Sequence, residues 1–418
     1  MKSEIADPSL APAGEEAIAW AADQMPVLAG IRDRLGRERP LGGVRLAACL
    51  HVTAETANLI AALAAGGAEV GLCACNPLST RDDVAAALAT RDGIDVLAVN
   101  GEDTASYYRH IEAVCRTRPA VTMDDGADLS SVLHAGPERQ RARTIGGTES
   151  QASGAVRLRA LEREGRLAYP IVALGRARTA RLLDARYGTG QSTLDGIVRA
   201  TNVLLAGRVL AVWGYGTTGR GIAERARGAG ARVIVCEVDP VRALEARMDG
   251  HEVLPGAEAA AHADVLVTAT GGRDAISAAH LDALRDGAIL ANAGHFDVEI
   301  DRGALTALAS AVDTPRRHVE RFTLPGGRRV ILLAEGRVVN LAAAEGHPAG
   351  VMDLSFAIAA LAVEHLVSRA GELTPGVLDV PDEIDRAAAG LRLAAMGVEI
   401  DDLTPAQRDY LLSWQEGT

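Results

Sequence analysis

Lysine is almost missing from this chain of 418 residues: Lys2 stands alone among 43 basic side chains, and all the others are arginine. Catalysis by a folded-domain lysine is therefore excluded, and arginine, whose guanidinium stays protonated, cannot replace it as a base. Aromatic residues are also scarce, at 3%, and the formal charge is −12. Few rings are available for base stacking and the field repels phosphate backbones, so no nucleic-acid partner is expected. No uninterrupted apolar run approaches the roughly 20 residues that span a bilayer, which excludes a transmembrane protein. The opening MKSEIADPSL has no apolar core behind its lysine and carries acids early, against a secretory signal. A cytoplasmic protein without a membrane partner is predicted. Only five cysteines occur, Cys49, Cys73, Cys75, Cys115 and Cys236. They lie mostly in apolar runs without CxxC or Cys/His spacing, so buried reduced thiols and no metal site are expected.

Apolar residues at 48% and charged residues at 23% are ordinary for globular chains, and the length suits two domains of roughly 150 residues plus a small third. From residue 43 the segments GVRLAACLH, AEVGLCACN, IDVLAVN and AVTMDDG alternate with helical patterns starting near Thr53, Thr80 and Asp103. That is βαβαβαβ, an open parallel sheet. Ligands of such sheets sit beyond the strands' carboxyl ends, where His51, Asn76 with Ser79 and Thr80, and Asp125 with Asp128 all fall, so one crevice is expected to receive them. A second α/β unit follows STLDGIVRATNVLLAG, with strands RVLAVW, RVIVCE, DVLVTAT and GAILANAG. A charged segment then leads to VILLAEGRVVNL and a helix near SFAIAALAVEHLV. The tail reads as a helix plus a short helix, and its apolar spacing at Ile384, Leu391, Met396 and Leu403 predicts docking on another surface, within or between subunits.

Gly214, Gly216 and Gly219 in GYGTTG follow a strand and open a helix, so the backbone can turn tightly and aim N–H groups at a pyrophosphate. Glu237 closes the next strand, 18 positions after Gly219. A carboxylate there binds both adenosine-ribose hydroxyls and repels a 2′-phosphate, which predicts NAD rather than NADP. His51 in CLHVTAET suits a satisfied core histidine as well as a catalyst. The adjacent acids Asp124 and Asp125 suit a loop cap as well as a base. His295 in ANAGHFDVEID either faces the nicotinamide or bonds its local backbone, and His347 in AEGHPAGVMD carries the same ambiguity.

In order along the chain run CLHVTAETANLI, CNPLSTRDDVAAAL, MDDGADL, YGTGQSTLDGI, GYGTTGRG, EVDPVRALEARMDG, ANAGHFDVEID and LLAEGRVVNLAAAEGHP. Together they resemble the S-adenosyl-L-homocysteine hydrolase family over nearly the whole length, and the ending DYLLSWQEGT is similar to the shorter bacterial and archaeal form. The resemblance implies two doubly wound Rossmann-like α/β domains with a small C-terminal helical segment: residues 1–185 with 350–385 for substrate, 186–349 for NAD, 386–418 as the tail, assembled as a homotetramer. It also implies a reaction. NAD oxidises the nucleoside 3′-hydroxyl, a base removes the acidified C4′ hydrogen, the 5′ substituent leaves, water adds, and the alcohol is restored. Thr53, Glu55 and His347 match positions that hold adenine, and Ser150 and Met352 fall on the substrate side. Asp125 matches the C4′ base, His51 the group assisting at C5′, and Asp184 an acid near the sugar hydroxyls. Gly214, Gly216, Gly219, Glu237, Asn340 and His295 match the cofactor side.

The chain departs from the family pattern around the sugar. Where the family reads VNDxxTKxxFDN it has LGRARTARLLDA, so Ala180 stands in place of the catalytic lysine and Ala185 in place of the following asparagine. Where the family reads SEETTTG it has TESQASG, with Ser150 in place of a glutamate and Gln151, Ala152 and Ser153 in place of three threonines. Arg176, Arg178 or Arg181 is available to restore positive charge near Asp184. Three functions are compatible with this pattern. The first is NAD-dependent elimination of the 5′ substituent, water included, from a sugar-modified adenine nucleoside. The second is ordinary adenosylhomocysteine hydrolysis at a rebuilt sugar site. The third is a non-catalytic NAD and nucleoside binder that regulates a partner.

Overall fold

The structure, a computed structural model, describes residues 2–414; residue 1 and residues 415–418, which complete the two terminal motifs quoted above, lie outside the described residues. The first sheet contains β1 (Arg45–Leu50), β2 (Glu69–Ala74), β3 (Ile94–Leu97), β4 (Val121–Asp124), β5 (Gly146–Glu149), β6 (Pro170–Ala173) and, returning from near the end of the chain, β15 (Gly376–Asp379). All neighbours are parallel, in the order β15-β6-β5-β4-β1-β2-β3. The second sheet contains β7 (Val209–Trp213), β8 (Arg232–Cys236), β9 (Glu252–Val253), β10 (Val265–Thr268), β11 (Ala288–Asn292), β12 (Ala311–Arg316), β13 (Val319–Thr323) and β14 (Arg329–Leu333), in the order β12-β13-β14-β11-β10-β7-β8-β9. The chain thus folds as two doubly wound α/β sheets with a helical tail. In each sheet the winding reverses once, between β1 and β4 and between β7 and β10. Those switch points are where such sheets leave a crevice.

Local sequence sets the connections. Thr53 caps the helix Ala54–Ala65 by accepting from Thr56 N at 3.3 Å, and Asp103 caps Thr104–Arg116 by accepting from Ser106 N at 2.7 Å. Tyr107, His110, Ile111, Val114 and Cys115 form the buried stripe of the second helix, at the three-and-four spacing of one helical face. The helix Ala349–Ser368 is long and apolar enough, at mean hydropathy 1.6, to cross a membrane. It is instead packed against the first sheet with its fully buried Asp353 accepting from Val27 N at 3.2 Å and Leu28 N at 2.8 Å and paired with Arg392 at 3.0 Å.

The charged segment before VILLAEG is an antiparallel hairpin, β12 and β13, at the sheet's edge. Every β12 residue is exposed, so charges such as Asp313 and Arg321, paired across the hairpin, erase the alternation by which a strand is read. Among the described residues the tail docks on its own chain through the buried Ile384, Asp385 and Ala388 and through the Arg392 pair with Asp353. Leu391, Met396 and Leu403 are exposed, the middle one by 62%.

Candidate active site

At the β1/β4 switch point the chain brings three groups together. His51 leaves β1 and Asp125 leaves β4, while His295 reaches in from beyond β11. Asp125 Oδ2 lies 3.8 Å from His51 Nε2 and Asp125 Oδ1 lies 3.7 Å from His295 Nδ1. Asp125 Oδ1 is buried with no hydrogen-bond partner among the described residues. The two adjacent acids separate because successive residues leaving a strand point to opposite faces. Asp124 turns inward, accepts from Ser130 N at 2.6 Å and Leu129 N at 3.4 Å, and is the loop cap; burial raises its carboxyl to about 7 against those bonds. Asp125 faces the cavity.

The tautomer of His51 follows from its neighbours. Ser79 Oγ donates to the Asn76 carbonyl at 2.9 Å, so it accepts from His51 Nδ1 at 2.7 Å, which leaves Nε2 as the basic nitrogen beside Asp125. Burial pushes this imidazole down to about 4, with Asp125 opposing and His295 and His347 adding to the fall. Cys75 Sγ comes close enough for a metal ion to bridge it with His51 and Asp125, their ligand atoms lying within 4.8 Å of one another. Burial and the surrounding carboxylates hold the thiol well above its ordinary value, so it stays protonated and is a poor ligand.

The same cavity, about 220 Å³, is also lined by Thr53, Glu55, Ser150, Asp184, Asn340, His347 and Met352. Burial raises the Glu55 carboxyl against a hydrogen bond from Thr53. Asp184, on the π-helical segment Arg181–Gly188, pairs through Oδ1 with His347 Nδ1 at 2.9 Å. The arginines named as its partners lie elsewhere: Arg176, Arg178 and Arg181 line the neighbouring cavity, and Arg176 pairs with Asp379 at 2.6 Å. Of the groups assigned to one crevice, Asn76, Ser79, Thr80 and Asp128 do not line it. Ser79 sits behind His51, and Asp128 is held by Arg157 at 2.8 Å and Tyr107 at 2.8 Å.

The neighbouring cavity, about 950 Å³, opens at the β7/β10 switch point along Gly214, Gly216, Thr217, Thr218, Glu237 and Arg242. Gly214 has φ +94°, and a Cβ on Gly219 would sit 1.8 Å from the Gly214 carbonyl oxygen, so this turn closes only with glycine. A Cβ on Gly216 would meet nothing nearer than Arg242 Nη1 at 3.9 Å, which leaves its backbone open to a ligand. Glu237 accepts from Tyr215 N at 2.7 Å, Val238 N at 2.7 Å and Asp239 N at 3.0 Å. Burial opposes its charge, but these bonds outweigh it and hold the carboxyl below its usual range. Asn340 Nδ2 donates to Ser192 Oγ at 3.0 Å, and its buried Oδ1 has no partner among the described residues, an acceptor suited to a carboxamide N–H. The turn, the carboxylate and the orphan acceptor fit a nicotinamide dinucleotide. Ala152, Gly175, Ala185 and Thr218 line both cavities, which therefore meet at one seam.

Residues missed in the sequence reading are mostly neighbours of those found. Glu149, buried, accepts from Gly126 N at 3.0 Å and Gln151 N at 2.6 Å and so ties the Asp125 loop to the TESQASG loop. Burial and then Asp124 and Asp125 raise its carboxyl well above the ordinary value. Thr189, within YGTGQSTLDGI, lies 2.9 Å from His347 Nε2. Its place in that motif was the available signal.

Comparison with known proteins matches residues 2–153 to the family model for S-adenosyl-L-homocysteine hydrolase and residues 185–346 to that for its NAD binding domain. An adenosylhomocysteinase of Aquifex aeolicus is 53% identical over 418 residues, covering 100% of both chains, and one of Gloeobacter violaceus is 52% identical over 100% of this chain and 98% of its own. An S-inosyl-L-homocysteine hydrolase of Methanopyrus kandleri is 51% identical over 99% of this chain and 98% of its own. Among solved structures, a dipicolinate synthase chain of Bacillus halodurans superposes with a TM-score of 0.50 at 12% identity over 79% of this chain and 99% of that one, a likeness of fold alone.

Proposed function

The chain belongs to the S-adenosyl-L-homocysteine hydrolase family and uses NAD, and from that premise we propose that it is an enzyme that eliminates the 5′ substituent of a sugar-modified adenine nucleoside, water being the leaving group. One observation carries the reading. Ser150, Gln151, Ala152, Ala180 and Ala185, where the sequence leaves the family pattern, all line the nucleoside cavity, and Ala152 and Ala185 lie on its seam with the cofactor cavity. In the same cavity Asp125, His51 and His295 stand as a complete cluster. A site altered only at the sugar fits a changed sugar better than decay, which would spare no particular group.

In this reading residues 1–185 with 350–385 bind the nucleoside and 186–349 bind NAD. Glu55, an acceptor when ionised, with Thr53 suits the exocyclic amino group of adenine rather than the carbonyl of hypoxanthine. NAD, when bound, would take up the hydride from the carbon of a sugar hydroxyl, leaving a transient ketone, and give it back at the end of the cycle. Asp125 then takes the C4′ proton, and His51 Nε2 beside it, unprotonated at rest, relays that proton to the departing 5′ group. Because its pKa is pushed down to about 4 the resting ring is neutral, and once it receives a proton it gives it up readily, so the proton taken from C4′ suffices for loss of water without an outside acid. The exposed Met396, Ile400, Leu411 and Leu412 of the tail and Val241, Leu244 and Met248 of the second unit are the apolar surface that a homotetramer would cover.

The test is to incubate the NAD-loaded protein with adenine nucleosides and with S-adenosylhomocysteine and to follow product masses. Loss of one water from a nucleoside, with little homocysteine released, is expected. Homocysteine release at the rate of an ordinary hydrolase favours the second reading, which rests on the full-length identity to proteins named adenosylhomocysteinase.

A further inference from the structure

Oxidising a sugar hydroxyl releases two hydrogens: the carbon's leaves as hydride to the nicotinamide, and the oxygen's leaves as a proton that a nearby base must take. No lysine is available for it, since Lys2 does not line the cavity. His51, Asp125 and His295 form one cluster, and Glu345 is engaged by Arg199 at 3.1 Å. Glu55 is bonded by Thr53. Asp184 remains. Its Oδ1 faces His347 Nδ1 at 2.9 Å, while Oδ2 has only the Ser355 hydroxyl at 3.4 Å among the described residues, a long contact that leaves it open to the cavity.

We propose that Asp184 takes and returns the sugar-hydroxyl proton through Oδ2, and that His347 acts on it as a positioning residue whose protonation state sets how basic that carboxylate is. This rests on the NAD-dependent reading above. The step balances: the O–H and C–H bonds break, a C=O bond forms, the hydride goes to the nicotinamide, and the proton goes to Asp184, whose Oδ1 still accepts Nδ1–H. The return step reverses each transfer. Thr189 makes either state of His347 tolerable, because its hydroxyl lies between His347 Nε2 at 2.9 Å and the Asp184 carbonyl at 3.3 Å. It donates to Nε2 when the ring is neutral and turns to the carbonyl when Nε2 carries hydrogen.

The charged groups that face His347 come from three other elements: Asp184 on its own segment, Asp125 after β4, and Glu55 on the helix Ala54–Ala65. Burial works against charge on this ring, but these carboxylates outweigh it and raise its pKa above the ordinary value. With the ring charged, the Asp184 carboxylate is held in an ion pair; with the ring neutral, that pairing is released and the carboxylate is free to take the sugar proton. Oxidation therefore rises with pH through the raised pKa of His347.

The experiment follows His347 by imidazole NMR in the NAD-loaded protein and, in parallel, the pH dependence of nicotinamide reduction with adenosine as probe. Expected are titration above the ordinary histidine value, a fall of that value in Asp184→Asn, and at least about 100-fold slower reduction in Asp184→Asn. His347→Gln should flatten the pH rise, and Thr189→Ser should preserve what Thr189→Val loses. Undiminished reduction in Asp184→Asn, or an unchanged pH rise in His347→Gln, overturns the proposal and leaves the oxidation reading standing. Wild type that reduces no nicotinamide with adenosine or S-adenosylhomocysteine, whatever the ring's titration, sinks the oxidation reading and the proposal with it.

Discussion

The two cavities that meet at Ala152, Gly175, Ala185 and Thr218 are built from opposite materials. The larger is made by one local stretch of backbone: a glycine turn, the helix it opens, and the single carboxylate at the end of the next strand. The smaller is made by titratable side chains delivered from at least six separate places in the chain: the ends of β1 and β4, the helix Ala54–Ala65, the segment Arg181–Gly188, and the loops carrying His295 and His347. The difference has a physical cause. A dinucleotide's pyrophosphate is held by N–H groups every residue possesses, so recognition needs room and curvature. Moving protons needs groups with separated pKa values, and only tertiary packing separates them, as His51 at about 4 and His347 above its ordinary value illustrate.

If the halves are this different, they should fail separately. The largest effect is expected from Asp125→Asn, which keeps size and removes basicity: turnover should fall by about 10²–10⁴. Denaturing the purified variant should still release a full complement of NAD; a matching loss of NAD would break the division. Next comes acid stability. Because the folded His51 pKa lies below its unfolded value near 6.5, the unfolded chain binds the extra proton between about pH 6.5 and 4. Stability is therefore full above that window and falls through it, by about 3 kcal/mol from this group. Urea unfolding across the window should show the loss, and His51→Gln should reduce it.

On the cofactor side, Gly219→Ala forces a Cβ against the Gly214 carbonyl, and overpacking of this kind costs about 1–3 kcal/mol. NAD affinity, read by calorimetry, should drop roughly 10- to 100-fold, with adenine-nucleoside binding to the NAD-free protein unchanged. The smallest effect is expected from Glu237→Gln, which keeps a carbonyl for Val238 N and Asp239 N, gives up the bond from Tyr215 N, and removes the charge that repels a 2′-phosphate. The NAD-to-NADP preference should narrow by about tenfold, the factor that one lost charged contact of about 1.4 kcal/mol carries.

The same contrast decides what could be read from residues alone. GYGTTG and Glu237 are legible because strand, turn, helix and strand are consecutive, and they fall at the carboxyl ends of β7 and β8. The helix starts at Thr53 and Asp103 are legible because a cap is a bond between near neighbours. The Asp184–His347 pair is not, since nothing in either segment indicates the other, and arginines nearer in sequence were the natural partners to name. Whether Asp124 or Asp125 faces the cavity depends on where β4 ends, a boundary set by pairing of Cys49 with Asp124 across the sheet. The β12–β13 hairpin was missed because a solvated edge strand has no apolar face to betray it.

If one cavity breaks a C4′–H bond after NAD held in the other has made the sugar a ketone, that hydrogen must exchange with deuterated water, and this exchange is the most direct measurement. Wild-type protein with bound nucleoside should exchange C4′ hydrogen, and Asp125→Asn should form reduced nicotinamide yet exchange none. Exchange at the wild-type rate in Asp125→Asn would contradict this role for Asp125, because the base would then lie elsewhere.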